Sequence, residues 1–451
     1  MSRAIAAALS LSLACACGRP HAPAEGMPGL SPLVLTELPS PPPADPLAAV
    51  RGDLDARYPA GTRIILKETD RSRLLSAGLS AAGGPAVSPD ALRVLFAGKE
   101  SPDGRWAIYE SPLRGLPRRV ADLGQDCADP AYISGGRVVF SCRVPGGGWA
   151  LHTASLEPDG AGVRRISFGA DDAADPFPLP DGRILFALLT GSGGLFTVNP
   201  DGTGVEAFAG LHGPRSGERA VQRPRPTGDG GVLFLSAAHG RSLHRVEMSR
   251  PMAARASLAD GYRDVSSAEP LPDGSILLAA DGGVYRLRPG GGPEPLPAGA
   301  AVYEAVPLVP SGPRKGRPSA VVMSMSTGTL LCVDADLSDG VTGPRRGAPR
   351  AARVEFLAAG PGESGALGGS PVEEDGSFLV DVPADRPLRV RTVDRQGRAI
   401  AVSGPLWVRP GEVRSCTGCH EGHERMAPNR PLRALTHDPR PLRPGTRESP
   451  P

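Results

Sequence analysis

The chain has 451 residues, 50 Lys and Arg against 48 Asp and Glu, and a formal net charge of +2. So even a balance, with no basic stripe, argues against a nucleic-acid partner and against any strongly charged one. Gly (59) and Pro (51) make up about a quarter of the residues, near the low-complexity range, but regular apolar strands between the turns point to a turn-rich β fold.

The chain opens MSRAIAAALSLSLACACGRP. Arg3 gives a positive start, and Ala4 to Ala14 form an apolar stretch too short to span a bilayer. Residues 1–17 therefore read as a signal peptide, and small residues before Cys15 and Cys17 suggest a lipoprotein type with one of the two lipidated. An ordinary secretory signal is the alternative. The expected location is that of an exported bacterial lipoprotein, on the periplasmic side of a membrane or at the cell surface, attached through its N-terminal lipid. Residues 18–60, with PSPPPADP at Pro39 to Pro46, read as a Pro-rich tether. No later stretch is long and apolar enough for a membrane span.

A repeat fills residues 61–318. Five stretches share a proline, a short strand, a turn and an apolar strand, for example CADPAYISGGRVVFSC from Cys127 and AADPFPLPDGRILFAL from Ala173. Their prolines, at 85, 130, 176, 224 and 270, are 45, 46, 48 and 46 residues apart. A fixed period of this size marks a repeat architecture. A further apolar strand in each unit, such as WALHTAS at Trp149, brings the content to about four strands, that of a propeller blade. A weaker sixth unit begins near Tyr303, and TRIILKE at Thr62 is placed to close the ring with it. The expectation is an all-β protein built on a six-bladed β-propeller, with seven blades as the fallback. Within it, Cys127 and Cys142 flank one hairpin and suit a disulfide in an exported protein, two buried thiols being the alternative. His152, His212, His239 and His244 read as surface or core residues rather than ligands.

Residues 319–410 alternate apolar and polar positions, with Phe378, Val380 and Val382 on one face and Leu388 and Val390 on another strand's face. They predict a small antiparallel β-sandwich. Residues 411–438 form a short tail segment carrying RSCTGCHEGH, and 439–451 read as disordered. Two thiols separated by two residues, with an imidazole directly after, match the geometry for attaching one haem c through Cys416 and Cys419, with His420 as the proximal ligand to iron. A zinc site of Cys416, Cys419, His420 and His423 is the alternative, cramped within eight residues. A redox dithiol is the third reading, though no α/β context for it is visible.

The blades and tail together resemble the hydrazine synthase alpha-subunit-like proteins of bacteria. The residues that carry the resemblance are RRISFGADDAADPFPLPDGRILFALL from Arg164, LFTVNPDGTGVEAFAG from Leu195, STGTLL from Ser326, DGSFLVDVPADRPL from Asp375 and RPGEVRSCTGCHE from Arg409. The resemblance implies a TolB-like six-bladed middle domain followed by a C-terminal c-type haem region. Alpha subunits of that family carry two haems and work in a multi-subunit enzyme that joins nitric oxide to an ammonium-derived nitrogen. This chain has one Cys-x-x-Cys-His, so the implied role is redox or electron transfer by a monohaem protein, with a redox partner protein or small redox molecule, rather than hydrazine synthesis. His423, Met426 and His437 are the candidates for the iron's other face. None is well placed, which predicts an open or weakly filled position. The competing class is a cell-surface propeller and sandwich binding protein whose tail is structural or binds zinc.

Overall fold

The computed structural model describes residues 32–40, 53–69, 71–157, 162–169, 172–189, 193–209, 221–236, 241–251, 256–259, 261–262, 264–298, 301–337, 349–360, 362–363, 365–418 and 429–442. These form eight four-stranded sheets. Sheet I joins Val302–Pro307, Leu33–Glu37, Arg63–Lys67 and Ser72–Leu74, in that order. Sheets II to VI each run up and down in chain order, with first strands Ala81–Val87, Cys127–Ile133, Ala173–Pro178, Val221–Pro226 and Val265–Pro270.

Each first strand lies against the first strand of the next sheet, and Val302–Pro307 touches both Val265–Pro270 and Ala81–Val87, so the series closes on itself. Middle strands are buried on both faces, which is why they read as unbroken apolar runs rather than alternations. In sheet IV, Ile184 and Phe186 pack toward sheet III, while Leu185 and Ala187 pack toward sheet V. The same division recurs at every neighbouring pair, and Leu277 and Ala279 of sheet VI meet Leu33 and Leu35 of sheet I.

Sheet I differs from the sequence expectation. Thr62 to Glu68 does complete the last sheet, but through a strand inside the segment read as tether. Leu33–Glu37 lies between Val302–Pro307 and Arg63–Lys67, antiparallel to both. Leu33, Val34 and Leu35 are buried, so this short run has an apolar side chain on each face and hydrogen-bond partners on both edges. A one-turn helix follows at Leu54–Arg57, capped by Asp53, whose side chain accepts from Ala56 N at 3.0 Å.

Sheets VII and VIII form a second unit. Sheet VII is ordered Val413–Cys416, Thr327–Cys332, Phe378–Pro383 and Arg440–Pro441; sheet VIII is Ala366–Pro371, Arg353–Ala358, Leu388–Val393 and Ala399–Val402. Leu330, Phe378 and Val380 of one share a core with Val354, Phe356 and Val390 of the other. No boundary falls at 410/411. Val413–Cys416 and Arg440–Pro441 both pair parallel within sheet VII, because the neighbouring strands offer free edges there. The tail is thus woven into the unit it was expected to follow, and its strand at Arg440–Pro441 lies in the segment read as disordered.

Cys127 and Cys142 face each other across the first two strands of sheet III, with Cα atoms 4.1 Å apart, and are joined as a disulfide. Closing a loop of sequence separation 15 restricts the unfolded chain by about 3 kcal/mol. Replacing both by Ala should destabilise the protein by that amount in urea unfolding, with a lower midpoint. An unchanged midpoint would remove the bridge from the stability of the ring.

Candidate functional site

The period of the repeat places charge on the ring axis. In sheets II to V the first strand slips register between Gly83 and Ala86, Ala128 and Ala131, Ala174 and Phe177, and Gln222 and Arg225. The skipped residues are Gly84-Pro85, Asp129-Pro130, Asp175-Pro176 and Arg223-Pro224. Proline has no N–H for the ladder, so the pair bulges out. The residue before it takes a left-handed φ: +67° at Gly84, +51° at Asp129, +49° at Asp175 and +51° at Arg223. Asp tolerates this region and Arg does not, which marks Arg223 as a position held by its surroundings.

Those bulges meet the helix at Leu54–Arg57. Arg57 reaches Asp129 at 3.0 Å, Asp175 at 3.6 Å and Glu304 at 3.9 Å. Glu304 accepts from Tyr58 OH at 2.6 Å, Thr36 Oγ1 at 2.5 Å and Gly84 N at 2.8 Å, and it pairs closely with Arg223. Arg223 also donates through Nη2 to Tyr58 OH at 3.2 Å and through its backbone N to Asp175 at 3.2 Å. Tyr58 is fully buried, and its ring lies where a Cβ on residue 83 would come within 2.3 Å. This explains Gly83 where the next two units have Ala128 and Ala174.

Burial alone raises Glu304, but Arg223, Arg57 and the hydroxyls of Thr36 and Tyr58 hold its carboxyl down at about 2. Asp129 goes the other way, up to about 6, because burial and Asp175 outweigh Arg57. On one side the cluster is open. A cavity of about 440 Å³ sits above it, lined among others by Phe177, Arg225, Glu269, Arg314 and Lys315. Sequence reading treated these prolines as punctuation and saw none of this network. The signal was present in Asp, Asp and Arg recurring directly before the prolines at 130, 176 and 224.

The tail motif lies partly outside the described residues. Cys416 ends the edge strand Val413–Cys416, opposite Cys332 in register. Val333 N and Asp334 N donate to the carbonyls of Cys416 and Thr417 at 2.9 and 3.1 Å. Gly418 is packed so closely that a Cβ there would lie 2.3 Å from the Leu337 carbonyl oxygen. Cys419, His420, His423 and Met426 fall outside the described residues, as do Cys15, Cys17, His212 and His239. The chain returns at 429 on the same sheet corner. Arg430 pairs with Asp334 at 3.4 Å and donates to the Asp375 carbonyl. Ala434 is buried, with its N donating to Ser377 Oγ at 3.1 Å. His437 Nε2 sits 3.1 Å from Glu373, which also holds Arg440 at 2.5 Å.

The other described histidines are packed within their sheets. His152 is buried against Phe140, its ring nitrogen 3.0 Å from the Ala150 carbonyl, and burial pulls it down to about 4. His244 stacks on Phe234. Trp407, Arg409 and Glu412 lock the second unit to the ring. Trp407 Nε1 donates to the Gly202 carbonyl at 2.9 Å, Arg409 Nη1 to the Arg165 carbonyl at 3.1 Å, and Gly204 N donates to Glu412 at 2.7 Å.

Glu304→Gln leaves Arg223 buried without its counter-charge and should cost about 3–5 kcal/mol in urea unfolding. The pH dependence has two parts of opposite sign. Glu304 binds its proton less readily folded than unfolded, so wild-type stability should fall as pH drops from about 4.5 toward 2. Asp129 binds its proton more readily folded, so stability should fall as pH rises from about 4 to 6. Asp129→Asn should flatten only the second window; a variant that tracks wild type through both would refute the assignment.

A family model described as the hydrazine synthase alpha subunit middle domain matches residues 362–421. Hydrazine synthase of Kuenenia stuttgartiensis is similar in structure, at 19% identity and a TM-score of 0.75, over 91% of this chain and 71% of that one. TolB from Acinetobacter baumannii follows at 15% identity and a TM-score of 0.41, over 61% of this chain and 66% of that one. No curated protein matches the chain. The chain is related to the hydrazine synthase alpha subunit through residues 362–421, and it shares the β-propeller scaffold of the Kuenenia stuttgartiensis enzyme.

Proposed function

We propose that this is an exported, lipid-anchored monohaem c-type protein with a redox or electron-transfer role, related to the hydrazine synthase alpha subunit but not making hydrazine. In this reading sheets I to VI are the six blades of a propeller, and sheets VII and VIII are a β-sandwich that presents the haem.

The setting of Cys416 carries the reading. It is half-buried at the end of a strand that, among the described residues, pairs on one side only. The Cys-x-x-Cys-His run begins there, and the chain is pinned again on the same sheet by Arg430 and Ala434. The described residues on both sides of the motif are thus fixed to the second unit. The family match runs through Glu421 and so includes Cys416, Cys419 and His420. These residues would hold haem c by two thioethers and a proximal imidazole. Bound there, the iron supplies one-electron chemistry. His437 is engaged with Glu373 in this structure and would have to leave it to serve the opposite face. That supports an open distal side and a small redox molecule, or a partner protein, as the exchange partner.

The cavity on the ring axis favours a second reading, a cell-surface binding protein whose tail is structural or holds zinc. One preparation separates the two. The full chain, made in cells with c-type maturation, should give about one haem per chain by pyridine haemochrome, retained through acid-acetone extraction. Cys416→Ser or Cys419→Ser should lower that yield, and the double change should abolish it. Zinc without haem in the wild type would select the second reading.

A further inference from the structure

We propose that the open mouth of the ring axis is a binding site for a small oxyanion, a carboxylate or phosphate. This site is independent of the tail motif and lies in the cavity of about 440 Å³ above the Glu304 cluster. That size is ordinary for a small-molecule site.

The charges lining the cavity do not cancel. Asp129, Asp175 and Glu304 face Arg57 and Arg223, one carboxylate in excess, so the five cations and four carboxylates of the lining leave one positive charge, and it falls at the mouth. Glu269 is taken up by Arg225, with Nε 2.7 Å from Oε1. Arg314 and Lys315 also line the cavity, and among the described residues neither has a carboxylate partner. Nε of Arg314 is buried and has no hydrogen-bond acceptor. A buried donor left in that state is unfavourable, and a bound acceptor would satisfy it.

The two upper guanidinium groups are held in place. Arg225 and Arg314 both lie over Phe177, with 4.6 and 5.7 Å from guanidinium carbon to ring centroid. Arg314 and Lys315 belong to the segment that leads from the ring to the second unit, and that segment is tied down on both sides. Ser311 N donates to the Pro89 carbonyl at 3.1 Å, Arg317 donates to the Asp181 carbonyl at 3.4 Å, and Ala320 N donates to Asp201 at 2.8 Å. The two guanidinium groups are therefore held by Phe177, and the segment carrying Arg314 and Lys315 is anchored, before any ligand arrives. A planar guanidinium with a spare donor suits the two oxygens of a carboxylate or phosphate group, and Lys315 supplies a second point charge. Burial also lowers the pKa of Arg314, in keeping with a cation short of counter-charge.

The test is calorimetric titration of the full chain with succinate and, separately, inorganic phosphate, at ionic strength held constant with chloride. Saturable binding of either is expected, and the tighter one names the ligand class. Arg314→Gln and Lys315→Gln lie on the connecting segment outside the sheets. Each should weaken binding roughly tenfold, the loss expected of one charge-assisted contact. No binding of either anion, or binding equally tight in both variants, overturns the site.

Discussion

A single carboxylate on the ring axis, that of Glu304, is the point on which the architecture converges. Its two oxygens accept from the strand Leu33–Glu37, the residue that follows the helix Leu54–Arg57, and two further sheets: Thr36, Tyr58, Gly84 and Arg223. Arg57 stands within 3.9 Å. A ring of repeats has no intrinsic start, and each sheet contacts chiefly its neighbours, so something must fix where the chain ends meet. Here Glu304 sits on the last first-strand, and its donors come from residues 36, 58, 84 and 223. Burying such a charge is favourable only when every acceptor position is used. The carboxylate therefore selects one closed arrangement over slipped ones.

The X-Pro bulge supplies this geometry at four successive sheets. Proline interrupts the ladder, the preceding residue turns left-handed, and its side chain leaves the sheet plane toward the axis. The first sheet of the four uses Gly84 before its proline; the next three use Asp, Asp and Arg. The repeated backbone device is constant while its side chain varies, as expected where a scaffold is fixed and a charged centre is tuned.

The period of the repeat was legible in the sequence because each unit buries the same apolar run on two faces, and such runs recur whatever their neighbours are. The closing strand was not. LVLTE at Leu33 is five residues set among prolines, and nothing local distinguishes it from a linker. Its strand state comes from two partners far away in sequence. Arg57 and Tyr58 were missed for the same reason: a one-turn helix has no periodicity to read. At the tail, the spacing of Cys416, Cys419 and His420 was plain, but the pairing of Val413–Cys416 was not, since parallel edge pairing depends on a strand some 85 residues earlier. The apolar content after Glu421 is low, yet Ala434 is fully buried. Few apolar residues did not mean detached.

The two candidate sites stand in different relation to the known fold. The family match spans residues 362–421, so it covers part of the second unit with Cys416, Cys419 and His420, and none of the axis residues. Glu304, Arg223, Asp129 and Arg57 are thus features of this ring, read from its own contacts. The two regions are still mechanically joined. Trp407 packs in the core between sheets III and IV, and Glu412 takes the Gly204 N–H one residue before the strand that ends in Cys416 begins. Asp385 pairs with Arg409 from within the second unit at 3.3 Å. Burial raises Glu412, and the N–H groups of Gly204 and Arg409 oppose that rise. The strand bearing Cys416 is therefore anchored at its start to the ring and at its side to Thr327–Cys332. A ligand at the axis and a group on the tail would share one rigid frame, with the segment holding Arg314 and Lys315 running between them.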